Sequence, residues 1–254
     1  MKIKTRKRTY AQVAALPRPE HRRPLKPNIF FRILIRLLAI PDLLSARFRF
    51  TKERMEAAGD GPCLILMNHS SFIDLKIASK IFFPKPFCIV CTSDGFVGKN
   101  WLMRLIGCIP TNKFVSDVKL IGDIQYALKE LGCSVLMYPE ASYSFDGRAT
   151  ALPRKLGVLL KKLKVPVVTV TTEGAFSREP LYNCLQKRSH VKVSASVRCL
   201  LTPEEIAEKS VAELDEMLDE AFTFDGFAWQ RKNNFTARPD SQKIKYGNRK
   251  HFCS

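Results

Sequence analysis

The sequence predicts an α/β fold: a single domain with a central, mostly parallel sheet covered by helices, preceded by an amphipathic helix suited to a membrane interface. Three observations lead there. From Cys63 onward, short apolar runs of strand length alternate with segments of helical period, the order that builds a covered sheet. At 254 residues and 46% hydrophobic, the chain can hold one domain with a real core. Ahead of the alternation lies an apolar run interrupted by two arginines, Ile29 to Ile40.

The elements follow in chain order. Residues 1–27 read as a basic flexible arm, because Pro17, Pro19, Pro24 and Pro27 deny it regular structure. Residues 28–44 read as the interfacial helix. Asn28 caps it, and Pro41 is expected to stop it at about Ile40. Its twelve apolar-rich residues fall short of the roughly 20 that span a bilayer. Arg32 and Arg36, four apart, share one face, while Phe30, Ile33, Leu34, Leu37 and Leu38 cover much of the rest. Two readings stand. The helix lies in the headgroup plane with its arginines reaching to phosphates, or it is an ordinary N-terminal helix packed on the domain.

The main domain is assigned to residues 45–225. Cys63–Met67 reads as a buried strand and Phe72–Phe83 as a helix, with Ile73, Ile77 and Ile81 recurring every four residues. Phe87–Cys91 is a second strand. A helix capped by Ser116 runs to Leu131, where Gly132 ends it. Ser134–Tyr138 is a strand, Arg154–Leu163 a helix, Val165–Thr171 a strand and Val191–Arg198 a strand of alternating character. One acidic amphipathic helix, Pro203–Phe222, closes the domain. Residues 226–254 form a basic C-terminal tail, polar enough to favour a loose chain.

The net charge of +18 is concentrated at the ends. Nine Lys and Arg in residues 1–26 face Glu20 alone, and seven in residues 231–254 face Asp240 alone, so the two ends supply 14 of the +18. Such ends suit an anionic membrane surface. Nucleic acid is disfavoured as a partner, since the N-terminal arm offers only Tyr10 to stack on bases. The first apolar run begins only at Ile29, behind a basic, proline-punctuated stretch, so no secretory signal peptide is read. The eight cysteines are then reduced thiols of a cytosolic protein. Cys88 and Cys91 form a lone Cys-x-x-Cys without a second pair at metal spacing, and read as structural.

The chemistry concentrates in Asn68-His69-Ser70-Ser71-Phe72-Ile73-Asp74, where a buried strand ends and a helix begins, the place where α/β sheets carry their sites. In one continuous helix, residues five apart point about 140° away from each other. His69 and Asp74 therefore meet only if His69 precedes the helix and Asp74 sits in its first turn, with Ser70 or Ser71 as the cap. Asp74 then accepts the Nδ1 proton and leaves Nε2 to take a proton from a hydroxyl. Alternatively, the aspartate merely favours the helix dipole and the histidine satisfies a backbone group.

Further segments join this one. Gly107-Cys-Ile-Pro-Thr-Asn-Lys113 sets a basic residue six after a glycine. Tyr138-Pro139-Glu140-Ala141-Ser142-Tyr143-Ser144 follows a strand, Arg154-Lys155-Leu156-Gly157 comes next, and Val165-Pro166-Val167-Val168-Thr169-Val170 closes the series. Counting the Asn68–Asp74 segment first, the Gly107, Tyr138 and Val165 segments make four blocks in order over roughly residues 45–200, with the Arg154 stretch between the last two. With them the chain resembles the glycerolipid acyltransferases of the lysophosphatidic-acid acyltransferase type. Its Asn68, His69 and Asp74 meet that family's Asn-His-x4-Asp block in full.

The resemblance implies transfer of a fatty acyl group from acyl-CoA or acyl carrier protein to the hydroxyl of a lysophospholipid-type acceptor, 1-acyl-glycerol-3-phosphate foremost. No cofactor is implied, since the thioester is a co-substrate. His69 and Asp74 would be catalytic. Asn68, Gly107, Lys113, Pro139, Glu140, Ser142, Arg154 and Lys155 would bind substrate, with Lys113 neutralising a phosphate and Glu140 ordering the acceptor site. Phe30, Arg32, Ile33, Arg36 and Leu37 would touch the membrane. The place implied is the cytoplasmic face of the cell membrane, held peripherally or monotopically.

Two departures bear on the acceptor. Tyr143 stands where the third block has arginine, and Lys113 replaces an arginine whose planar fork it does not reproduce. Arg148, Arg154 and Lys155 are near enough in sequence to compensate. An acceptor without phosphate, such as lyso-ornithine or another lyso-aminolipid, is thus one alternative. A non-catalytic membrane-associated relative is another.

Overall fold

A computed structural model of the protein describes residues 20–96, 98–111, 118–141, 144, 147, 149, 151–153, 156–178 and 191–233. Helix α1 (Ile29–Ser45) leads through β1 (Arg49–Glu53) to β2 (Leu64–Met67), α2 (Ile73–Phe82) and β3 (Phe87–Thr92). Then come α3 (Asn100–Leu105), β4 (Cys108–Thr111), α4 (Val118–Lys129), β5 (Ser134–Met137), α5 (Leu156–Leu163) and β6 (Val167–Glu173). The described chain ends with β7 (Ser194–Leu201), α6 (Pro203–Glu208), α7 (Val211–Phe222) and α8 (Gly226–Lys232).

Among the described residues seven strands make one sheet, in the order β1-β7-β6-β2-β5-β3-β4. The five from β6 to β4 are parallel; β7 runs antiparallel to β6 and parallel to β1. This is the single α/β domain with a mostly parallel, helix-flanked sheet that the sequence predicts.

Strand β2 shows why its sequence is apolar throughout. Successive side chains of a strand point to opposite faces. Ile65 and Met67 enter one core with Ala39, Leu43, Ile73, Ile77, Val168 and Val170, beneath α1 and α2. Leu64 and Leu66 enter the other with Ile124, Leu160, Leu201, Leu214 and Leu218, beneath α4, α5 and α7. A strand covered on both sides has no position for a polar residue. Gly157 lets α5 approach α7: a Cβ there would lie 2.7 Å from the Val211 carbonyl oxygen.

Helix α1 departs from expectation in two ways. It continues through Pro41 to Ser45, although proline has no N–H for the carbonyl four residues back. The continuation buries Leu43 and leads to the buried Ala46, and it pairs Asp42 with Lys76 of α2. The arginines also face inward. Arg32 lies on the stripe of the buried Ala39 and Leu43 and donates to the Pro84 carbonyl. Arg36, one turn on, is half-buried. Outward, α1 presents Phe30, Ile33, Leu34, Leu37, Leu38 and Leu44, of which Leu44 is 72% exposed. The outer face of α1 is thus largely apolar, with Arg32 and Arg36 half-buried beside it. Asn28 caps the helix as expected, its side chain accepting the Phe30 N–H at 2.9 Å.

Residues 20–27, expected to belong to a flexible arm, are laid against the domain. His21 Nε2 lies 2.9 Å from Asp123 Oδ2, the Arg23 guanidinium covers Tyr126, and Pro24 and Pro27 are buried. The acidic helix expected over residues 203–222 is two helices, each with its own capping box, Thr202 with Glu205 and Ser210 with Glu213. Residues 226–232, placed in the loose tail, form α8, capped by Asp225 and anchored by the buried Trp229. No helix among the described residues is long and apolar enough to cross a membrane.

Candidate active site at the carboxyl end of β2

The site forms where β2 ends. Asn68 carries the strand pairing one residue further with its side chain. Its Oδ1 accepts the Thr172 N–H at 2.8 Å and the Thr172 hydroxyl at 3.1 Å, and its Nδ2 donates to the Thr172 carbonyl at 3.1 Å. Asn68, expected to bind substrate, is thus occupied in tying β2 to β6.

The chain then turns into α2. Its capping position is Phe72, one residue beyond the expected serines, although Ser71 Oγ accepts the Ile73 N–H at 3.4 Å. Asp74 falls in the first turn. One oxygen, Oδ2, gathers three donors: Ser70 N–H at 2.7 Å, Ser71 N–H at 2.9 Å and the His69 ring at Nδ1, 2.9 Å away. Two backbone N–H groups on the same oxygen make Asp74 an acceptor, so Nδ1 bears a proton, and in the neutral imidazole the lone pair is then on Nε2. Asp74 is fully buried, whereas the His69 side chain keeps 17% of its surface exposed. The second carboxylate oxygen, Oδ1, is buried without a hydrogen-bond partner. The sequence spacing therefore places ring and carboxylate in contact.

The segment after β5 completes the site. Glu140 is buried, and its Oε2 accepts the His69 main-chain N–H at 3.0 Å. Ser144 N–H donates to the His69 carbonyl at 2.7 Å. Tyr138 stacks on the imidazole, ring centroids 3.7 Å apart and planes inclined by 15°. Pro139 is buried in the turn between them. A small cleft adjoins these residues, lined by Asn68, Ser70, Glu140, Ser144, Thr172 and Phe176. Sequence reasoning missed Tyr138 and Thr172 as parts of the site. The signals for Tyr138 are its place at the head of the block that carries Glu140 and at the end of a strand parallel to the one carrying His69.

Other expected site residues lie elsewhere. Gly107 precedes the first residue of β4, at the end of the sheet remote from His69, and a Cβ there would lie 2.5 Å from Pro27 Cγ. With φ at +85° and Pro27 against it, Gly107 serves the packing of the N-terminal segment and does not line the site. Lys113, Ser142, Arg154 and Lys155 lie outside the described residues, as do Tyr143 and Arg148. Cys88 and Cys91 are parts of β3. A hydrogen bond with the Cys133 thiol and then burial push the Cys88 thiol up, and Cys108 and burial do the same to Cys91. Among the described residues no three His, Cys, Asp or Glu side chains converge to hold a metal ion.

Comparisons with known proteins converge on one family. The family model described as Acyltransferase matches residues 47–173, half of the chain. A chloroplastic 1-acyl-sn-glycerol-3-phosphate acyltransferase of Brassica napus is 28% identical over 121 residues, 46% of this chain and 34% of that protein. Its counterpart from Chlamydomonas reinhardtii is 29% identical over 125 residues, 48% of this chain and 37% of that protein. The chain thus spans about a third of the length of the curated relatives it matches. Among solved structures, the 1-acyl-sn-glycerophosphate (LPA) acyltransferase PlsC of Thermotoga maritima shares the fold. Its TM-score is 0.57 at 16% identity, over 82% of both chains.

Proposed function

The chain belongs to the Acyltransferase family, and from that premise we propose that it acylates the hydroxyl of a lysophospholipid at a membrane surface, with His69 as general base and Asp74 as its orienting carboxylate. One observation carries the reading: His69 Nδ1 lies 2.9 Å from a buried carboxylate oxygen, at the carboxyl end of the central strand. In this reading Nε2 removes the proton of the acceptor hydroxyl. The oxygen attacks the thioester carbonyl of acyl-CoA or acyl carrier protein, and a tetrahedral intermediate forms. Its collapse breaks the carbon–sulfur bond, and the imidazolium returns the proton to the departing thiolate. No covalent acyl-enzyme is required.

The acceptor proposed is 1-acyl-glycerol-3-phosphate, the compound in the names of the relatives. A shallow cleft under α1 has Ile35, Leu75, Phe83, Phe87, Ile89 and Ile106 among its walls, beside Arg32, Ser79 and Lys85. The outer face of α1 supports docking by insertion into the interface, and the basic chain ends support an anionic lipid surface. The placement proposed is peripheral or monotopic, on the cytoplasmic face.

A second reading rests on Tyr143, which stands where the family's third block has arginine: the acceptor lacks a phosphate, as a lyso-aminolipid does. One experiment separates the two. Purified protein is offered labelled acyl donor with a panel of lysolipids, beside His69→Ala. Phosphatidic acid as the product, lost in the variant, is the expected result. Turnover by His69→Ala close to that of the unaltered protein would overturn the assignment of the base.

A further inference from the structure

The stacking of Tyr138 on His69 has no part in the mechanism above, and its geometry is close: centroids 3.7 Å apart, planes 15° from parallel. The contact is built by strand register. β5 lies beside β2 with Met137 level with Leu66, so Tyr138 emerges next to the turn that carries His69. Two residues later the same segment delivers Glu140 to the His69 N–H. Tyr138 is only half-buried and sits at the rim of the core that includes Met67 and Ile73.

The hydrogen bond to Asp74 restrains rotation about Cβ–Cγ at one ring atom, only as tightly as its own length and angle are held. Torsions of this sp³–sp² kind are broad. A parallel aromatic ring removes that freedom, because any swing drives one edge of the imidazole into it. The stacked ring also closes one of the two faces of the imidazole to an approaching acceptor. The electronic effect has the same direction. When Nε2 accepts a proton the imidazole becomes a cation over the negative face of the phenol ring, a contact that gains strength only in the charged state. An interaction stronger after proton transfer than before it favours the transition state over the bound substrate.

We infer that Tyr138 is a positioning residue whose aromatic face fixes the plane of His69 and supports the imidazolium formed during acyl transfer. The inference rests on His69 being the base. It assigns the effect to the ring and not to the hydroxyl, which separates it from packing alone: leucine keeps the apolar bulk and loses the ring, whereas phenylalanine keeps the ring.

The test compares the unaltered protein with Tyr138→Phe, Tyr138→Leu and Tyr138→Met. Turnover is measured at saturating lysophospholipid and donor, thermal midpoints are taken, and the histidine ring protons are followed by NMR in detergent micelles. There are four histidines, and His69→Ala identifies the resonances of interest. The expected result is an upfield ring-current displacement of the His69 protons in the unaltered protein and in Tyr138→Phe, absent in Tyr138→Leu. With it goes a kcat for the leucine variant lower by about tenfold at unchanged KM, with phenylalanine restoring most of it. The methionine variant serves if leucine leaves the protein unfolded. A leucine variant with full kcat, or phenylalanine and leucine variants equally impaired, would overturn the role while leaving the base assignment standing. A protein that transfers no acyl group to any lysolipid overturns both.

Discussion

Glu140 holds His69 by the main chain, its Oε2 3.0 Å from the His69 N–H, while Asp74 holds the same residue by the ring. Two buried carboxylates from different segments thus address one residue at two points. Removing Glu140 leaves that N–H without its acceptor, at a cost of about 1–3 kcal/mol. Glu140→Ala is expected to lower the urea midpoint and turnover together. Glu140→Gln, which keeps an acceptor oxygen, falls between. Denaturation curves beside acyl-transfer rates check the order.

Asp74→Asn replaces an oxygen that three donors share with a carboxamide that brings donors of its own. The ring loses the acceptor that fixes its tautomer, and turnover is expected to fall by about 10²–10⁴. The circular dichroism spectrum is expected to stay that of the folded protein. A fall confined to KM would contradict this role for the carboxylate.

On α1, glutamate at Leu37 and Leu44, which are 57% and 72% exposed, disturbs no internal packing. Each leucine inserted into an interface contributes about 1.5–3 kcal/mol. The double variant is therefore expected to bind anionic vesicles at least tenfold more weakly at an unchanged melting temperature. Arg32→Ala is expected to leave vesicle binding nearly as it was, since that guanidinium is engaged with the Pro84 carbonyl. Co-sedimentation with vesicles measures both.

The two capping boxes give α6 and α7 an acid sensitivity. A side-chain hydrogen bond from Arg54, then the Thr202 N–H, lowers the Glu205 carboxyl below its ordinary range. Hydrogen bonds with Ser210 lower Glu213. A carboxyl depressed on folding stabilises fully above its unfolded value and loses that contribution as pH falls through its folded one. Melting temperature is expected to decline below about pH 4.5, less steeply in Glu205→Gln and Glu213→Gln, which have already lost the contribution at neutral pH. Thermal scans from pH 6 to pH 3 test the slope.

The parts legible in the sequence are those where one local rule decides. The all-buried Leu64–Met67 and the four-residue recurrence of Ile73, Ile77 and Ile81 give β2 and α2 directly. The five-residue spacing of His69 and Asp74 allows one geometry. The missing parts depend on neighbours. β1 is almost wholly exposed and carries no apolar alternation. β4 contains Pro110, which a strand tolerates because it lies at the sheet edge. Pro41 is a local stop signal, and the burial of Leu43 and Ala46, which outweighs it, belongs to the tertiary structure. The break at Ser210 was readable: a serine followed three residues later by glutamate is a capping signal, here hidden within an otherwise continuous amphipathic pattern.

Ala39 in the buried stripe of α1 and Ala46 just past its end have consequences at the bench. Small side chains seat the helix closely against the domain, and a roll of even one residue would carry Leu38 or Ile40 into the space they occupy. Among the described residues, nothing else covers the outer leucines and Phe30. In plain buffer such an exposed apolar face is expected to favour association with other apolar surfaces. Aggregates or dimers obtained without amphiphile then report the solvent chosen, and the size measured in micelles is the one to interpret.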